Sequence, residues 1–118
     1  MAEKFILDYI VFERKYFIMS NAVFYCSFNL KKRASVSDFL QAAEKLNNEY
    51  ISKQKGYISW QQLSDGDMWA DFLTFETMED VKNFEAESGN AGELAEKFYS
   101  FINHNSCKVN YFTIEKSY

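Results

Sequence analysis

Proline is absent from this 118-residue chain and glycine occurs only four times. We therefore expect short turns built from Gly, Asn, Asp and Ser. The two cysteines, Cys26 and Cys107, lie far apart and match no metal-binding or redox spacing. The sequence also lacks a glycine-rich phosphate loop, a cluster of His and Cys, and a nucleophile elbow. No metal site, nucleotide site or nucleophilic triad is predicted from motifs.

Positive charge and long apolar runs are scarce as well. The net charge of −4 gives no basic footprint for nucleic acid, and the run Lys31–Arg33 is interpreted as a solvated turn. Asp8 and Glu13 interrupt the one candidate membrane span, so none is predicted. Cys26 lies in an apolar alternating run and is interpreted as a small buried thiol. With no signal peptide recognised, we expect a reducing, cytoplasmic setting.

Aromatic side chains are abundant instead. They make up 19% of the chain, and hydrophobic residues make up 47%, which excludes a disordered chain. Such flat side chains can line a cavity or a subunit interface. The length predicts one domain, at residues 21–118, preceded by an apolar N-terminal extension at residues 1–20 that packs on the domain or on a second subunit.

The periodicity of the sequence predicts the order β-α-β-β-α-β. The strands are expected at 22–31, 57–63, 68–76 and 107–116, and the helical segments at 35–55, 77–88 and 93–103. Ser35 and Thr77 begin the first two helices as capping residues, and Leu40 is assigned to the buried stripe of the first. This order is typical of an α+β, ferredoxin-like fold with a four-stranded antiparallel sheet. Helices cover one face of such a sheet, and a second copy of the chain is expected to cover the other.

The stretch SWQQLSDGDMWADFLTFE holds both tryptophans around a predicted two-residue turn at Asp65-Gly66. The turn predicts that Trp60 lies opposite Asp71. Alternation then places one set of side chains on a common face and leaves Tyr57 on the other face; the set comprises Ile58, Trp60, Gln62, Trp69, Asp71, Leu73 and Phe75. An indole beside Asp71 would desolvate the carboxylate, raise its pKa and make it a usable base. Alternatively, Asp71 is exposed near a sheet edge or paired with a cation across an interface, and the tryptophans serve only packing.

The stretch GYISWQQLSDGDMWADFLTFETMEDVKNF resembles the central region of the antibiotic biosynthesis monooxygenase-like family, within the dimeric α+β barrel superfamily. The likeness consists of a Gly that ends the first helix, two strands around a short turn, the pair Phe75-Glu76, and a helix that begins TMEDVKNF. It spans about residues 22–115. The resemblance implies a homodimer in which two sheets form a barrel, with a ligand cavity between sheet and helices in each subunit.

The resemblance implies cofactor-independent oxygenase chemistry on a small phenol or quinol, with no cofactor. Phenol-oxidising relatives carry an Asn and a Trp where this chain has Asp71 and Phe75. Asp71 is the candidate base. The ligand-binding candidates that would hold the ring or bond its oxygen are Tyr25, Trp60, Gln62, Trp69 and Phe75. Haem-degrading relatives use an Asn, a Trp and a His, but the matching positions here lack them, and His104 is interpreted as a loop residue that caps a helix end.

Two other functions remain open at this stage. The same scaffold could be a non-catalytic dimer that binds a small aromatic ligand, or a structural dimer whose Trp-rich face is its interface. A metal-free isomerase or decarboxylase would also need only a base and a cavity.

Overall fold

The computed structural model describes residues 20–118. Nearly all of the predicted N-terminal extension 1–20, including Asp8 and Glu13, therefore lies outside the described residues. Within 20–118 there are four strands and three α-helices, with short 3-10 turns at Ile51–Lys53 and Ser88–Ala91. In chain order they are β1 (Ala22–Leu30), α1 (Val36–Glu49), β2 (Tyr57–Asp65), β3 (Met68–Phe75), α2 (Met78–Ala86), α3 (Glu93–Tyr99) and β4 (Ile102–Thr113).

The four strands form one antiparallel sheet in the order β2-β3-β1-β4. This confirms the predicted ferredoxin-like βαββαβ topology. The central strands β1 and β3 place Cys26 opposite Asp71 and Phe28 opposite Trp69. No helix of the described part is long and apolar enough to cross a bilayer.

Both predicted helix starts are confirmed. The Ser35 hydroxyl accepts a hydrogen bond from the backbone N–H of Asp38 at 3.2 Å, and the Thr77 hydroxyl accepts one from Asp80 at 3.0 Å. Each bond satisfies an N–H that the first helical turn leaves unpaired. The stripe of α1 that faces the sheet comprises Phe39, Ala43 and Leu46. The assignment of Leu40 to this stripe is wrong, since 42% of its surface is exposed; it is one residue, or about 100°, around the helix from Phe39.

The helices pack on one face of the sheet, which we call the inner face. Its core is largely aromatic: the ring of Phe39 stacks on Phe98 with centroids 5.1 Å apart, and it meets Trp69 edge-on at 5.3 Å. Phe28 and Phe75 are almost fully buried in the same cluster. Burial of rings at these distances stabilises the layer of helices on the sheet.

The opposite face, which we call the outer face, carries a second aromatic group. Tyr25 contacts Phe72 and Phe112 at centroid distances of 6.5 and 6.1 Å. About half of each large side chain is exposed at Leu63 (44%), Met68 (48%) and Phe112 (51%). None of the described helices contributes to this second group.

The hairpin differs from its predicted register. Asp65 pairs with Met68, so the turn is Gly66-Asp67, and Gly66 supplies its positive φ of 63°. Gln62, not Trp60, lies opposite Asp71. Between Trp60 and Asp65, each residue of β2 pairs with a β3 residue two positions away from its predicted partner. An even step keeps every side chain on its predicted face.

A β-bulge at Ile58 reverses the faces that were predicted for the first two residues of β2. Tyr57 pairs with Phe75 and Ser59 pairs with Thr74, so Ile58 is the extra residue. The placement of Ile58 inside and Tyr57 outside is therefore wrong. Ile58 is 45% exposed, whereas the Tyr57 ring lies against Phe75 at 6.3 Å on the inner face.

The last helix and strand also have different bounds from those expected. Helix α3 ends at Tyr99 and β4 begins at Ile102, because Ile102 pairs with Leu30 and is 1% exposed. His104 consequently lies in β4 and not in a loop. Its Nε2 lies 3.1 Å from the carbonyl oxygen of Tyr99, the last residue of α3, so its bond to a helix end is as expected.

Candidate active site

Asp71 is the one acidic side chain that the central strands point toward the helices. It is 7% exposed, in the middle of β3 on the inner face. The Trp60 indole N–H donates a hydrogen bond to Asp71 Oδ1 at 3.1 Å, and the Gln62 amide donates to the same oxygen at 3.2 Å. Among the described residues no hydrogen bond reaches Oδ2. One oxygen is therefore fixed by the protein, and the other is free for a ligand.

Burial raises the pKa of Asp71 from 3.8 to about 7, and the hydrogen bonds from Gln62 and Trp60 oppose the rise without cancelling it. Removal from water disfavours the charged form, while donated hydrogen bonds favour it. A carboxyl group with a pKa near neutrality exists in both protonation states at physiological pH. It can therefore take a proton from a ligand and return one.

Asp71 lines a cavity of about 250 Å³ between the sheet and the helices. Rings form much of its wall, contributed by Phe24, Phe28, Trp60, Phe84, Phe98 and Tyr99. The ionisable or polar side chains in the wall are Cys26, Asp71, Glu85, Ser88, Tyr99 and Cys107. The Tyr111 hydroxyl donates to Glu85 Oε1, which engages that carboxylate outside the ligand space. Asp71 is thus the buried carboxylate of this largely apolar wall.

Tyr99 lies at the mouth of this cavity. Its side chain is 44% exposed, yet burial is the main reason that the pKa of its phenol is raised, followed by the charge of Asp71. Tyr99 and Asp71 line the same cavity. No local sequence signal marks Tyr99 as a site residue, because α3 shows only a general apolar spacing.

The structure brings Trp60, Gln62 and Asp71 together but separates the other predicted ligand residues from them. Trp60 lines the cavity, whereas Gln62 reaches Asp71 from a neighbouring recess of about 200 Å³ beside α1. Trp69 is on the inner face but packs on Phe39 and lines a different surface groove.

Phe75 and Tyr25 do not reach the cavity. Phe75 is 0% exposed and stands behind Phe84, with ring centroids 5.1 Å apart. Tyr25 pairs with Phe72 and lies on the outer face. The expected grouping of Tyr25 with Asp71 is wrong, since Tyr25 is one residue from Cys26 and adjacent strand residues point to opposite faces.

Within residues 20–118, no group of three or more His, Cys, Asp or Glu side chains is arranged to hold a metal ion. Cys26 and Cys107, which showed no motif spacing, both line the cavity. Neither thiol is in a disulfide. Their common location depends on the pairing of β1 with β4, which no local sequence signal encodes.

No protein-family model matches the sequence. No curated protein matches it either. Solved structures do share the fold. SnoaB, a cofactor-independent oxygenase from Streptomyces nogalater, is 11% identical, with a TM-score of 0.66 over 83% of this chain and 96% of SnoaB.

Two further neighbours agree with this likeness. A candidate antibiotic biosynthesis monooxygenase from Bordetella bronchiseptica is 10% identical, with a TM-score of 0.67 over 84% of this chain and 99% of its own. A conserved protein from Methanosarcina mazei Go1 is 12% identical, with a TM-score of 0.63 over 83% and 96%. The chain has the ferredoxin-like α+β fold of antibiotic biosynthesis monooxygenase-like proteins, which confirms the sequence resemblance at the level of the fold.

Proposed function

We propose that this protein is a cofactor-independent, monooxygenase-like enzyme that acts on a small phenol or quinol. The observation that carries the proposal is the buried Asp71, whose pKa of about 7 and unbonded Oδ2 coincide with an aromatic cavity. The SnoaB fold supports the same class of chemistry. The substrate class comes from the cavity and the family resemblance together.

The reaction begins with proton transfer from the substrate hydroxyl to Oδ2 of Asp71. The resulting phenolate is electron-rich and gives one electron to dioxygen, and the two radicals combine at a ring carbon to form a peroxide. Asp71 returns its proton to the peroxide. Loss of the ring C–H proton and cleavage of the O–O bond then give a quinone and one water. Overall, one phenol and one dioxygen become one quinone and one water, so the protein supplies only the base and the dry chamber.

The size of the cavity limits the substrate. At about 250 Å³ it is smaller than the roughly 300–1,000 Å³ typical of sites for drug-sized ligands. One or two fused rings fit this space best. The rings of Phe24, Phe84 and Phe98 would contact the ligand, while Oδ2 of Asp71 bonds its hydroxyl.

The proposal includes a homodimer that uses the outer face. The half-exposed Leu63, Met68 and Phe112 are apolar side chains of this face, and a second copy of the chain is the partner that the family resemblance and the sequence pattern imply. Residues 1–20 are proposed to be an extension of the 21–118 domain, and a cytoplasmic location remains part of the proposal.

The experiment that tests the base is oxygen uptake by the purified protein with a panel of one-ring and two-ring hydroquinones, with a three-ring anthrone included to test the size limit. Asp71→Asn keeps the shape and an acceptor for Trp60 but cannot take a proton. We expect turnover to fall by about 10²–10⁴-fold. Asp65→Asn makes the same chemical change at the exposed hairpin end and should leave turnover unchanged. Equal turnover in wild type and Asp71→Asn would refute the role of Asp71.

A non-catalytic dimer that binds a small aromatic ligand is the alternative function. The observation that favours it is Phe75, which stands where phenol-oxidising relatives have a Trp and is fully buried. Trp60 lies in the cavity wall, so a ligand should quench tryptophan fluorescence. Quenching by members of the panel without oxygen uptake would support binding alone, and quenching with uptake would support the oxygenase.

A further inference from the structure

Two thiols that the proposed reaction does not use meet in the cavity wall. Cys26 is in β1 and Cys107 is in the neighbouring strand β4. Cys26 lies opposite Val109, and Cys107 is two positions before Val109, so both thiols lie on the inner face. They are therefore diagonal neighbours across two paired strands, and both border the cavity.

The backbone of β4 is irregular beside Cys107. The pairing changes from Ser27–Lys108 to Asn29–Asn103, which leaves extra residues in β4 between the two registers. Ser106 replaces the regular ladder there: its hydroxyl accepts from Asn29 N–H at 2.8 Å and donates to the Asn103 carbonyl at 2.6 Å. A bulge of this kind lets the strand bend locally. Cys107 can thus shorten the diagonal distance toward the separation that a disulfide needs.

The two thiols differ in accessibility. Cys107 is exposed and Cys26 is half-buried. Burial raises the pKa of Cys26 to about 12, with further contributions from Cys107 and Asp71. Cys26 therefore stays protonated and reacts slowly with oxidants, so Cys107 is the thiol that a small oxidant meets first.

We propose that Cys26 and Cys107 form a peroxide-sensitive dithiol, a modification site that closes to an intramolecular disulfide between β1 and β4 in the cavity wall. The Cys107 thiolate attacks hydrogen peroxide, the O–O bond breaks, and a sulfenic acid and hydroxide form. That hydroxide takes the Cys26 proton and becomes water, the Cys26 thiolate attacks the Cys107 sulfur, and the S–O bond breaks. The departing hydroxide takes up the proton that Cys107 released at the start and becomes the second water. Two thiols and one peroxide give one disulfide and two waters, so sulfur is oxidised and peroxide oxygen is reduced.

This inference does not depend on the oxygenase activity, because peroxide from any source can react. Bridging would remove two polar groups from the cavity wall and tie β4 to β1 beside Asp71. It also gives a role to Cys26 and Cys107, whose spacing in the sequence matches no metal-binding or redox motif.

The test treats the reduced, full-length protein with hydrogen peroxide and then blocks the remaining thiols with N-ethylmaleimide. The expected product is a monomeric chain that has lost two hydrogen atoms and takes up no maleimide, with a Cys26–Cys107 peptide that disappears on reduction. Cys26→Ser should instead gain one oxygen atom at Cys107, trapped by dimedone. Cys107→Ser should remain unoxidised under the same treatment.

The double variant Cys26→Ser/Ser27→Cys is the matched control. It moves the thiol by one residue to the outer face of the same strand, where it cannot meet Cys107, so no intramolecular disulfide is expected. Circular dichroism checks that each serine variant folds. Formation of disulfide in this control, chain-to-chain disulfides in the wild type, or stable oxygen adducts with both wild-type thiols still unlinked would overturn the proposal.

Discussion

The two faces of the sheet are built from alternate residues of the same strands but have opposite characters. On the inner face, Trp60 and Gln62 surround Asp71 with a hydrogen-bonded and dry environment. On the outer face, Tyr25 and Phe112 form an apolar surface that remains partly exposed. Burial therefore makes a titratable site on one side, whereas the other side keeps an apolar surface that the proposed dimer would cover. Adjacent residues of one strand thus serve the proposed chemistry and the proposed assembly.

The largest expected effect concerns the inner face. Asp71 should make the free energy of unfolding depend on pH. Its pKa is raised from 3.8 to about 7 by burial, so between these pH values the folded protein holds a proton that the unfolded chain has released. The free energy of unfolding should therefore fall as pH rises from about 4 to 7, by about 4 kcal/mol for this group. Asp71→Asn should abolish this fall and be more stable than wild type at pH 8, as measured by urea unfolding.

The control for this pH effect is Asp65→Asn, at the exposed hairpin end. It should retain the wild-type fall in stability between pH 4 and 7. A wild-type protein whose unfolding free energy is constant over this range would contradict the raised pKa. A fall in the wild type that is absent in Asp71→Asn would show that the buried candidate base lowers the stability of the folded protein at neutral pH.

The second largest effect is expected on the outer face, where one substitution should weaken the proposed dimer. Phe112→Glu places a charge on the β4 side of the proposed dimer surface, where the wild-type ring is 51% exposed in the single chain. We expect the dimer dissociation constant to rise about 100-fold, which is roughly 3 kcal/mol. Sedimentation velocity over a concentration series measures this change.

Val36→Glu is the matched control, because Val36 is 47% exposed at the start of α1, which packs on the inner face and not on the outer face. It should leave the association unchanged. A wild-type protein that is monomeric at all concentrations would reject the dimer, and a Phe112→Glu protein that remains dimeric would move the interface elsewhere.

A smaller effect should distinguish two neighbouring glutamines. Gln62→Met removes one hydrogen bond to Asp71 and should raise the pKa of that carboxyl by about one pH unit. Gln61→Met makes the same change on the outer face and should leave the pKa unaltered. The carbon chemical shift of the Asp71 carboxyl, followed by NMR against pH, measures both variants without relying on turnover. Equal shifts in the two variants would show that the hydrogen bond is not responsible.

The smallest effect is expected at Tyr25. Tyr25→Phe removes a hydroxyl from the outer face and leaves its contacts with Phe72 in place. Turnover and ligand quenching should stay within about twofold of wild type. Tyr99→Phe removes the corresponding hydroxyl at the cavity mouth and serves as the contrast. A strong loss of ligand binding in Tyr25→Phe would return Tyr25 to the site, across a subunit interface.

The fold was predictable because its signals are local. Ser35 and Thr77 mark helix starts, and alternation in β1 separates Phe24 and Cys26 from Tyr25. Errors arose where a longer-range contact decides the outcome. The bulge at Ile58 follows from how β2 meets β3, and the early start of β4 follows from the pairing of Ile102 with Leu30.

The candidate site was predictable only in part for the same reason. The predicted hairpin places Trp60, Gln62 and Asp71 on one face. This grouping is correct because a two-residue error in register does not change the face on which a side chain lies. Which residues of β1 share that face depends on the pairing of Cys26 with Asp71. Tyr25 was therefore assigned to the wrong side, and Tyr99 and Cys107 were missed.

The sequence by itself determined the order of the elements, the hairpin around Gly66, and the alternation that groups Asp71 with Trp60. Only the tertiary structure decided that Asp71 is buried, that its Oδ2 lies free beside an aromatic cavity, and that Cys26 meets Cys107. The physical reason is that helix caps, turns and side-chain alternation are fixed by a few neighbouring residues. The pKa of a carboxyl group and the meeting of two thiols depend on distant segments that displace water and approach one another only in the folded chain.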